Sequence, residues 1–393
     1  MREVWILSVA RTAIGSFQGT LSGIPATQLG AYAMSGALKK ANLKPSDVSE
    51  VIMGNVLTAG EGQAPARQAA IRAGIPHGVP ALTINKVCGS GMKAVMLGAQ
   101  SMLLGESEVV VAGGMENMSQ VPFLLPQARS GYKMGHQSVL DAMIHDGLWD
   151  PYQGKHMGNF AELCAREKQF SREEQDQFAT ESFKRAQAAQ KAGKFQNEIV
   201  PIEIEGKRGE INRLDTDEGP SKVIFDKIPT LKPVFDKAGT VTAANASTIN
   251  DGAAALVLVS SDYARAHGLR PIARIVSIGA HAMEPEWFTV APASAMRKAM
   301  AKATWQVKDV DLFEVNEAFA VVALAAQKEL SIPSDRFNVW GGAVSLGHPI
   351  GASGARILVT LVSALQDKGM KKGVAGICIG GGEATAVCVE LMS

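Results

Sequence analysis

The chain of 393 residues is long enough to bury a sizeable core and to hold two or three domains. Its 39 Lys+Arg balance 38 Asp+Glu, so the formal net charge is +1, and the basic footprint of a nucleic-acid or membrane-surface binder is excluded. Hydrophobic residues make up 46% and charged residues 20%, the balance of an ordinary globular enzyme, and no run of about 18 apolar residues offers a membrane span.

The first residues, "MREVWILSVARTAIG", carry too short an apolar run for a signal peptide. They also hold too few hydroxyl and basic residues for a transit sequence, so a cytoplasmic location is expected. The four cysteines, Cys88, Cys164, Cys378 and Cys388, form no CxxC pair, so zinc and thioredoxin-type readings fail. Single cysteines in a reduced compartment are candidate nucleophiles.

In chain order, β-branched runs precede glycine clusters at 113–114, 341–354 and 380–382, as in "EVVVAGG", "NVWGG" and "VAGICIGGG". Strand, glycine turn and helix in succession predict an α/β protein with a buried sheet. The order of landmarks repeats. "VIMGNVL", "TINKVCGSGMKAV" and "EVVVAGGMENMS" in the first half answer to "DLFEVNEAF", "FNVWGGAVSLGHPIGASGARIL" and "VAGICIGGGEATAVCVEL" in the second. A duplicated α/β unit is expected. Residues 119–170 are rich in Met, His and Gly with little β pattern. Ser171 and Glu174 then form a capping-box signal for a helix with Phe178, Ser182, Ala186 and Ala189 on one face and Gly193 as its stop. The expected division is 1–118 plus 249–270 as the first half, 119–248 as an inserted loop domain, and 271–393 as the second half.

Cys88 stands between a β-like run and the helical pattern Met92, Val95, Met96, Ala99, Met102, Leu103, stopped by Gly105. Backbone N–H groups and the helix dipole there stabilise a thiolate, and Gly89 and Gly91 leave the backbone open to a bulky acyl group. The competing reading is a buried, inert cysteine. His348 sits in the glycine-rich "GGAVSLGHPIGASG", where a ligand can reach it; a satisfied turn histidine is the alternative. Cys378 ends a strand before Gly380–Gly382, whose N–H groups can form an oxyanion nest. This turn lacks the GxGxxG register of a dinucleotide site. Asn316, between a strand and an apolar helix, reads either as an N-cap or as a group that orients a water or carbonyl.

Taken together, Cys-Gly-Ser-Gly, Asn-Glu-Ala-Phe-Ala, Gly-His-Pro-x-Gly-x-Ser-Gly and Cys-x-Gly-Gly-Gly, in this order, resemble the thiolases. The likeness runs over nearly the whole chain and is nearest to the acetyl-CoA acetyltransferases. It implies a five-layer αβαβα core with an inserted loop domain. It also implies a reversible Claisen condensation of two acetyl-CoA to acetoacetyl-CoA and free CoA through an acetyl-cysteine. By this resemblance Cys88 is the nucleophile, His348 its base, and Cys378 the second acid/base. Asn316 with His348 holds one oxyanion, and the N–H groups of Cys88 and Gly380 hold the other. Leu148, His156, Met157, Phe235, Ala243 and Ser247 are implied to line the CoA and acyl site. CoA is substrate and product, no cofactor or metal is implied, and members are homodimers or homotetramers.

Three departures stand out. "GGGEATA" replaces the usual Gly-Gly-Gly-x-Gly, so that Glu383 and Ala384 lose a flexible position close to Cys378, with Ala384 where a glycine is common. Lys222 stands where many relatives carry an arginine. Phe183 stands at the place of a tyrosine that binds potassium in animal mitochondrial relatives, so no potassium requirement is expected. The alternatives are a degradative 3-ketoacyl-CoA thiolase of broad chain length, a β-ketoacyl synthase and a non-catalytic acyl-CoA or lipid-binding relative. The pairing of Cys88 with Cys378 argues against the synthases, and the presence of all four motifs argues against loss of chemistry.

Overall fold

The computed structural model describes residues 2–205 and 209–392. Nine strands build its central sheet: β1 (Val4–Thr12), β2 (Glu50–Gly54), β3 (Ala81–Ile84), β4 (Val109–Asn117), β5 (Asn250–Ser260), β6 (Ala273–Ala282), β7 (Leu312–Val315), β8 (Lys372–Ile379) and β9 (Glu383–Leu391). Their order across the sheet is β7-β8-β9-β6-β1-β5-β4-β2-β3. The two-residue strands Gly15–Ser16 and Ile199–Val200 attach to β5 and β1.

The order is symmetric about the β1/β6 seam. β1, β5 and β4 pair antiparallel, and β4, β2 and β3 pair parallel. Across the seam, β6, β9 and β8 pair antiparallel and β8 with β7 parallel. The place of β3 is taken there by a single parallel bridge, Phe313 to Phe337. The halves meet through three antiparallel rungs, Val4–Ile275, Trp5–Arg274 and Ile6–Ala273. The duplication expected from the repeated landmarks is thus present in the strand order.

Three layers of helix cover this sheet. α1 (Ala26–Ala41) packs on the outer face of the first half and α5 (Ala291–Lys302) on that of the second. α2 (Ser90–Leu104) and α7 (Ile350–Lys368) lie between the halves and contact strands of both. Every residue of α7 from Ile350 to Leu365 is buried, as a helix sandwiched between the two halves of the sheet requires. The largest apolar cluster joins side chains of both halves through these two helices, and two further clusters lie under α1 and α5. The result is αβαβα.

Between β4 and β5 the chain leaves the core. α4 (Arg172–Lys191) carries the expected capping box: Ser171 Oγ accepts from Glu174 N, and Glu174 Oε2 accepts from Ser171 N at 2.7 Å. Gly193 follows at φ +69°. Before it, α3 (Met157–Glu167) is a helix that the composition of 119–170 does not suggest. Its buried Phe160, Ala161, Cys164 and Ala165 at helical spacing were the available signal. α6 (Ala320–Leu330) begins four residues after Asn316 with Phe319 as its N-cap, so the N-cap reading of Asn316 fails.

Candidate active site

Cys88 and His348 hold the same position in the two halves. Cys88 lies two residues before Ser90, the start of α2, and His348 two residues before Ile350, the start of α7. The two helices approach so closely that a Cβ on Gly91 would stand 2.8 Å from Ala355 N, and one on Gly354 would stand 2.5 Å from Met92 N. Glycine at 91 therefore serves helix contact rather than acyl access, which corrects the sequence expectation. At Gly89 an added Cβ would meet Ile379 Cδ1 at 2.4 Å, so that space also belongs to the protein. Gly91→Ala is expected to cost about 1–3 kcal/mol of stability by overpacking this crossing. It should also lower activity by parting the helix starts that carry Cys88 and His348. Thermal melts with steady-state rates check both.

The turn before Cys88 is strained. Val87, a β-branched residue, has φ +44°. Ser90 holds the turn by donating from Oγ to Val87 O at 2.7 Å while accepting from Lys86 N at 2.8 Å. Lys86 is ion-paired with Glu383, so the residue next to the substituted Ala384 braces this turn. Ala384 lies in the regular ladder between Cys378 and His281, and its Cβ is accommodated in the buried core. The positive φ values of this turn fall on Gly381 (+91°) and Gly382 (+85°), before the substitution.

The Cys88 sulfur is half-buried and accepts hydrogen bonds from the backbone N–H groups of Gly380 and of Cys88 itself. Burial nevertheless pushes its thiol up to about 11, and the Glu116 carboxylate adds to the rise. The expected low-pKa thiolate is not found in the unliganded protein, because burial outweighs the N–H groups that favour the anion. Glu116 accepts from Asn55 Nδ2, Val56 N, Leu57 N and Gly351 N, tying the end of β4 to the start of α7. Burial raises it to about 7.

His348 is 6% exposed. Its backbone N–H donates to Asn250 Oδ1 at 3.0 Å. At Gly347, φ is +108° and a Cβ would strike the Asn250 amide. His348 Nδ1 lies 2.5 Å from Ser353 Oγ, and that hydroxyl donates its one proton to Pro349 O at 2.8 Å. Nδ1 must therefore carry the ring proton, which leaves Nε2 with a free lone pair. Asn316 Nδ2 stands 3.5 Å from Nε2, and Asn316 Oδ1 is buried without a partner among the described residues. Burial, then the Arg356 cation, lower His348 to about 3, so it is neutral at physiological pH.

This depressed value has a consequence for stability. The imidazole contributes fully above the ordinary value of 6.5, and its contribution is lost as pH falls toward 3. Relative to His348→Gln, the wild type is expected to lose about 1.4 kcal/mol for each pH unit below that ordinary value. Denaturant unfolding of both proteins across the acid range checks it; parallel pH curves would contradict it.

Cys88, His348 and Gly380 line a cavity of about 830 Å³, together with Leu148, His156, Met157, Phe235, Ala243 and Ser247. Cys378 and Asn316 are fully buried and do not line it. Cys378 is close enough to Cys88 for the Cys88 charge to raise its thiol further, after burial has already raised it well above the usual range. His156 is the N-cap of α3, with Nδ1 accepting from Gly158 N at 3.1 Å and the ring stacked on Phe235 at 4.7 Å. Phe235 meets Phe319 edge-on at 6.1 Å. Phe183 also lines it, and Phe288, Phe319 and Ile350 are further lining residues that the sequence did not single out. Lys222 and Lys227 also line the cavity and are exposed, and Lys222 Nζ donates to Ser16 Oγ at 2.7 Å. Ser353 and Asn250, which orient His348, went unnoticed too; the only hint was their place within the glycine-rich and "TINDGAAA" segments. Among the described residues no cluster of three or more His, Cys, Asp or Glu side chains has metal-binding geometry. No described helix is long and apolar enough to cross a membrane.

Two family models match the chain: the thiolase N-terminal domain over residues 4–262 and the thiolase C-terminal domain over 269–391. The chain belongs to the thiolase family. This thiolase is 55% identical to acetyl-CoA acetyltransferase 2 of Arabidopsis thaliana, over 100% of this chain and 98% of that protein. It is 52% identical to the acetyl-CoA acetyltransferase of Cupriavidus necator, over 99% of this chain and 100% of that one. Its fold matches the crystal structure of the Acat5 thiolase from Ascaris suum in complex with coenzyme A. The TM-score is 0.94 and the identity 44%, with 99% of this chain and 100% of that one covered.

Proposed function

We propose that this thiolase is an acetyl-CoA C-acetyltransferase that interconverts two acetyl-CoA with acetoacetyl-CoA and CoA. The observation that carries the reading is the cavity of about 830 Å³ that Cys88, His348 and Gly380 line together. Full-length relatives named acetyl-CoA acetyltransferase at 50–55% identity support it. So does the likeness to a thiolase solved with coenzyme A.

In the first half-reaction the Cys88 sulfur attacks the acetyl thioester while its proton passes to His348 Nε2. With a high thiol value and a weakly basic imidazole, a preformed ion pair is disfavoured, so proton transfer is coupled to formation of the S–C bond. CoA leaves with a proton, and acetyl-Cys88 remains. In the second, the Cys378 thiol passes its proton to His348 and, as thiolate, takes a proton from the methyl carbon of a second acetyl-CoA. The carbanion attacks the acetyl-Cys88 carbonyl, the C–C bond forms, the S–C bond breaks with the Cys88 sulfur recovering the proton held by His348, and acetoacetyl-CoA is released. The Cys88 and Gly380 N–H groups hold one oxyanion; Asn316, through a water suited to its unpartnered Oδ1, holds the other with His348.

The apolar walls from Leu148, Met157, Phe235, Phe288 and Phe319 suit the pantetheine arm and a short acyl group, and Lys222 and Lys227 suit phosphate oxygens. Phe183 offers no hydroxyl to a cation. No dissociable cofactor is required by this chemistry. Division into two core halves with a CoA-holding insertion over 119–248, a homodimeric or homotetrameric assembly and a cytoplasmic site of action complete the reading.

The test is thiolysis of acetoacetyl-CoA beside a 3-ketoacyl-CoA of longer chain, with and without KCl. Rapid cleavage of the short substrate alone, indifferent to potassium, is the expected result. Comparable cleavage of both substrates would favour a broad degradative thiolase, and clear potassium activation would contradict the role given to Phe183.

A further inference from the structure

The geometry points to the buried pair Glu314–Arg356 as a positioning unit for His348 and Asn316, in the rung of strand and helix next to theirs. The inference rests on His348 acting as the base.

Glu314 lies in β7 and Asn316 one residue past its end, where Asn316 N still donates to Gly376 O, so the two share a face. Ser353 and Arg356 are three apart on α7, so they also share a face. Two successive rungs therefore join the same strand to the same helix. In the outer rung, Asn316 meets His348 at 3.5 Å and His348 meets Ser353 at 2.5 Å. In the inner rung, Glu314 Oε2 stands 3.8 Å from Arg356 Nη1, with both side chains 2% exposed.

The inner rung is not built like a structural ion pair. Arg11, the other large buried cation, is forked by Asp217 at 2.6 and 2.9 Å and bonded through Nε to Glu198 at 2.6 Å. Arg356 has no protein hydrogen-bond partner at Nε, Nη1 or Nη2 among the described residues, and neither Glu314 oxygen has one. Holding a buried guanidinium so loosely costs stability, and packing alone does not require it. Its charge is left to act at a distance, and His348 feels it: after burial, Arg356 is what lowers the proton affinity of the ring. The charged groups facing the pair are Glu317 beyond β7, Glu198 and Arg11 from the first half, and Arg185 of α4. Glu317 is itself held by Asn338, Ser182 and Val344 N, which fixes the peptide that follows Asn316. The unit thus adds to the burial that keeps the imidazole neutral, and it supports the strand and helix that set the ring beside the amide sharing its oxyanion.

The test measures kcat, KM and the pH profile of acetoacetyl-CoA thiolysis for the full chain and its variants. Arg356→Met is expected to lower kcat at least about tenfold with KM within about twofold. It is also expected to move the acid limb of kcat/KM to higher pH, since the cation opposing protonation is gone. Arg356→Lys, which keeps the charge, is expected to return the acid limb to its wild-type place. Glu314→Gln keeps shape and is expected to lower kcat without raising the acid limb. Wild-type kcat and pH profile in folded Arg356→Met would overturn the inference. If that variant does not fold, wild-type kcat in Glu314→Gln overturns it. His348→Asn separates the two ideas: activity retained there sinks the base reading itself, whereas an inactive His348→Asn beside a normal Arg356→Met sinks only the positioning role.

Discussion

Cys88→Ser is expected to lose thiolysis of acetoacetyl-CoA by on the order of ten-thousand-fold, with CoA esters still bound. The hydroxyl is nearly the size of the thiol, so the turn held by Ser90 and the approach of the Gly380 N–H are kept. What is lost is a nucleophile whose thioester exchanges with CoA at little change in energy. A serine ester would lie well below the CoA thioester and would not return its acyl group. Steady-state rates with a binding isotherm for CoA check it. A variant within tenfold of wild type would remove Cys88 from the chemistry and leave it as a buried structural thiol.

Cys378→Ala is expected to split the reaction in two. Carbon–carbon bond cleavage and formation should fall by about 10²–10⁴-fold, the range for removing a general acid/base. Exchange of label between CoA and acetyl-CoA, which needs only Cys88 and His348, should persist within about tenfold of wild type. The separation follows from the proposed roles, because acyl exchange moves no proton at the methyl carbon. Cys378 is fully buried at the end of β8, outside the cavity lining, while Cys88 and His348 both face the cavity. Equal loss of both activities would mean that Cys378 supports Cys88 rather than acting on the second substrate. Loss of neither would make it a packing residue.

The fold was legible because a duplicated sequence gives a duplicated sheet. "NDGAAALVLVS", apolar without alternation, reads as a strand covered on both faces, and β5 is buried along its whole length. The starts of α2 and α7 were legible from glycine clusters, though for another reason than the one first given. At Gly91 and Gly354 the neighbour that needs the space is the opposite helix. α3 was not legible because its cap is a histidine and its first turn lies inside a stretch dominated by Met, His and Gly.

Within the site, the residues of local motifs could be read, and the long-range contacts could not. Cys88, His348, Cys378 and Asn316 lie in recognisable segments. Nothing in the sequence tells that Glu116, on β4, accepts from Gly351 at the far end of the chain, or that Asn250 holds His348. Burial was equally invisible. A cysteine before a helix promises a stabilised thiolate, and the promise fails because the turn is packed against Ile379 and the central helices. Glu383 likewise looked disruptive in the sequence, yet its partner Lys86 lies 297 residues away.

The measurement that tests the central claim most directly is peptide mass mapping of the protein quenched in acid after brief exposure to acetyl-CoA alone. The account predicts one acetyl group per chain, on the peptide containing Cys88, removed by adding CoA before the quench and absent from Cys88→Ser. Acetylation elsewhere, or none in a protein that still cleaves acetoacetyl-CoA, would contradict it.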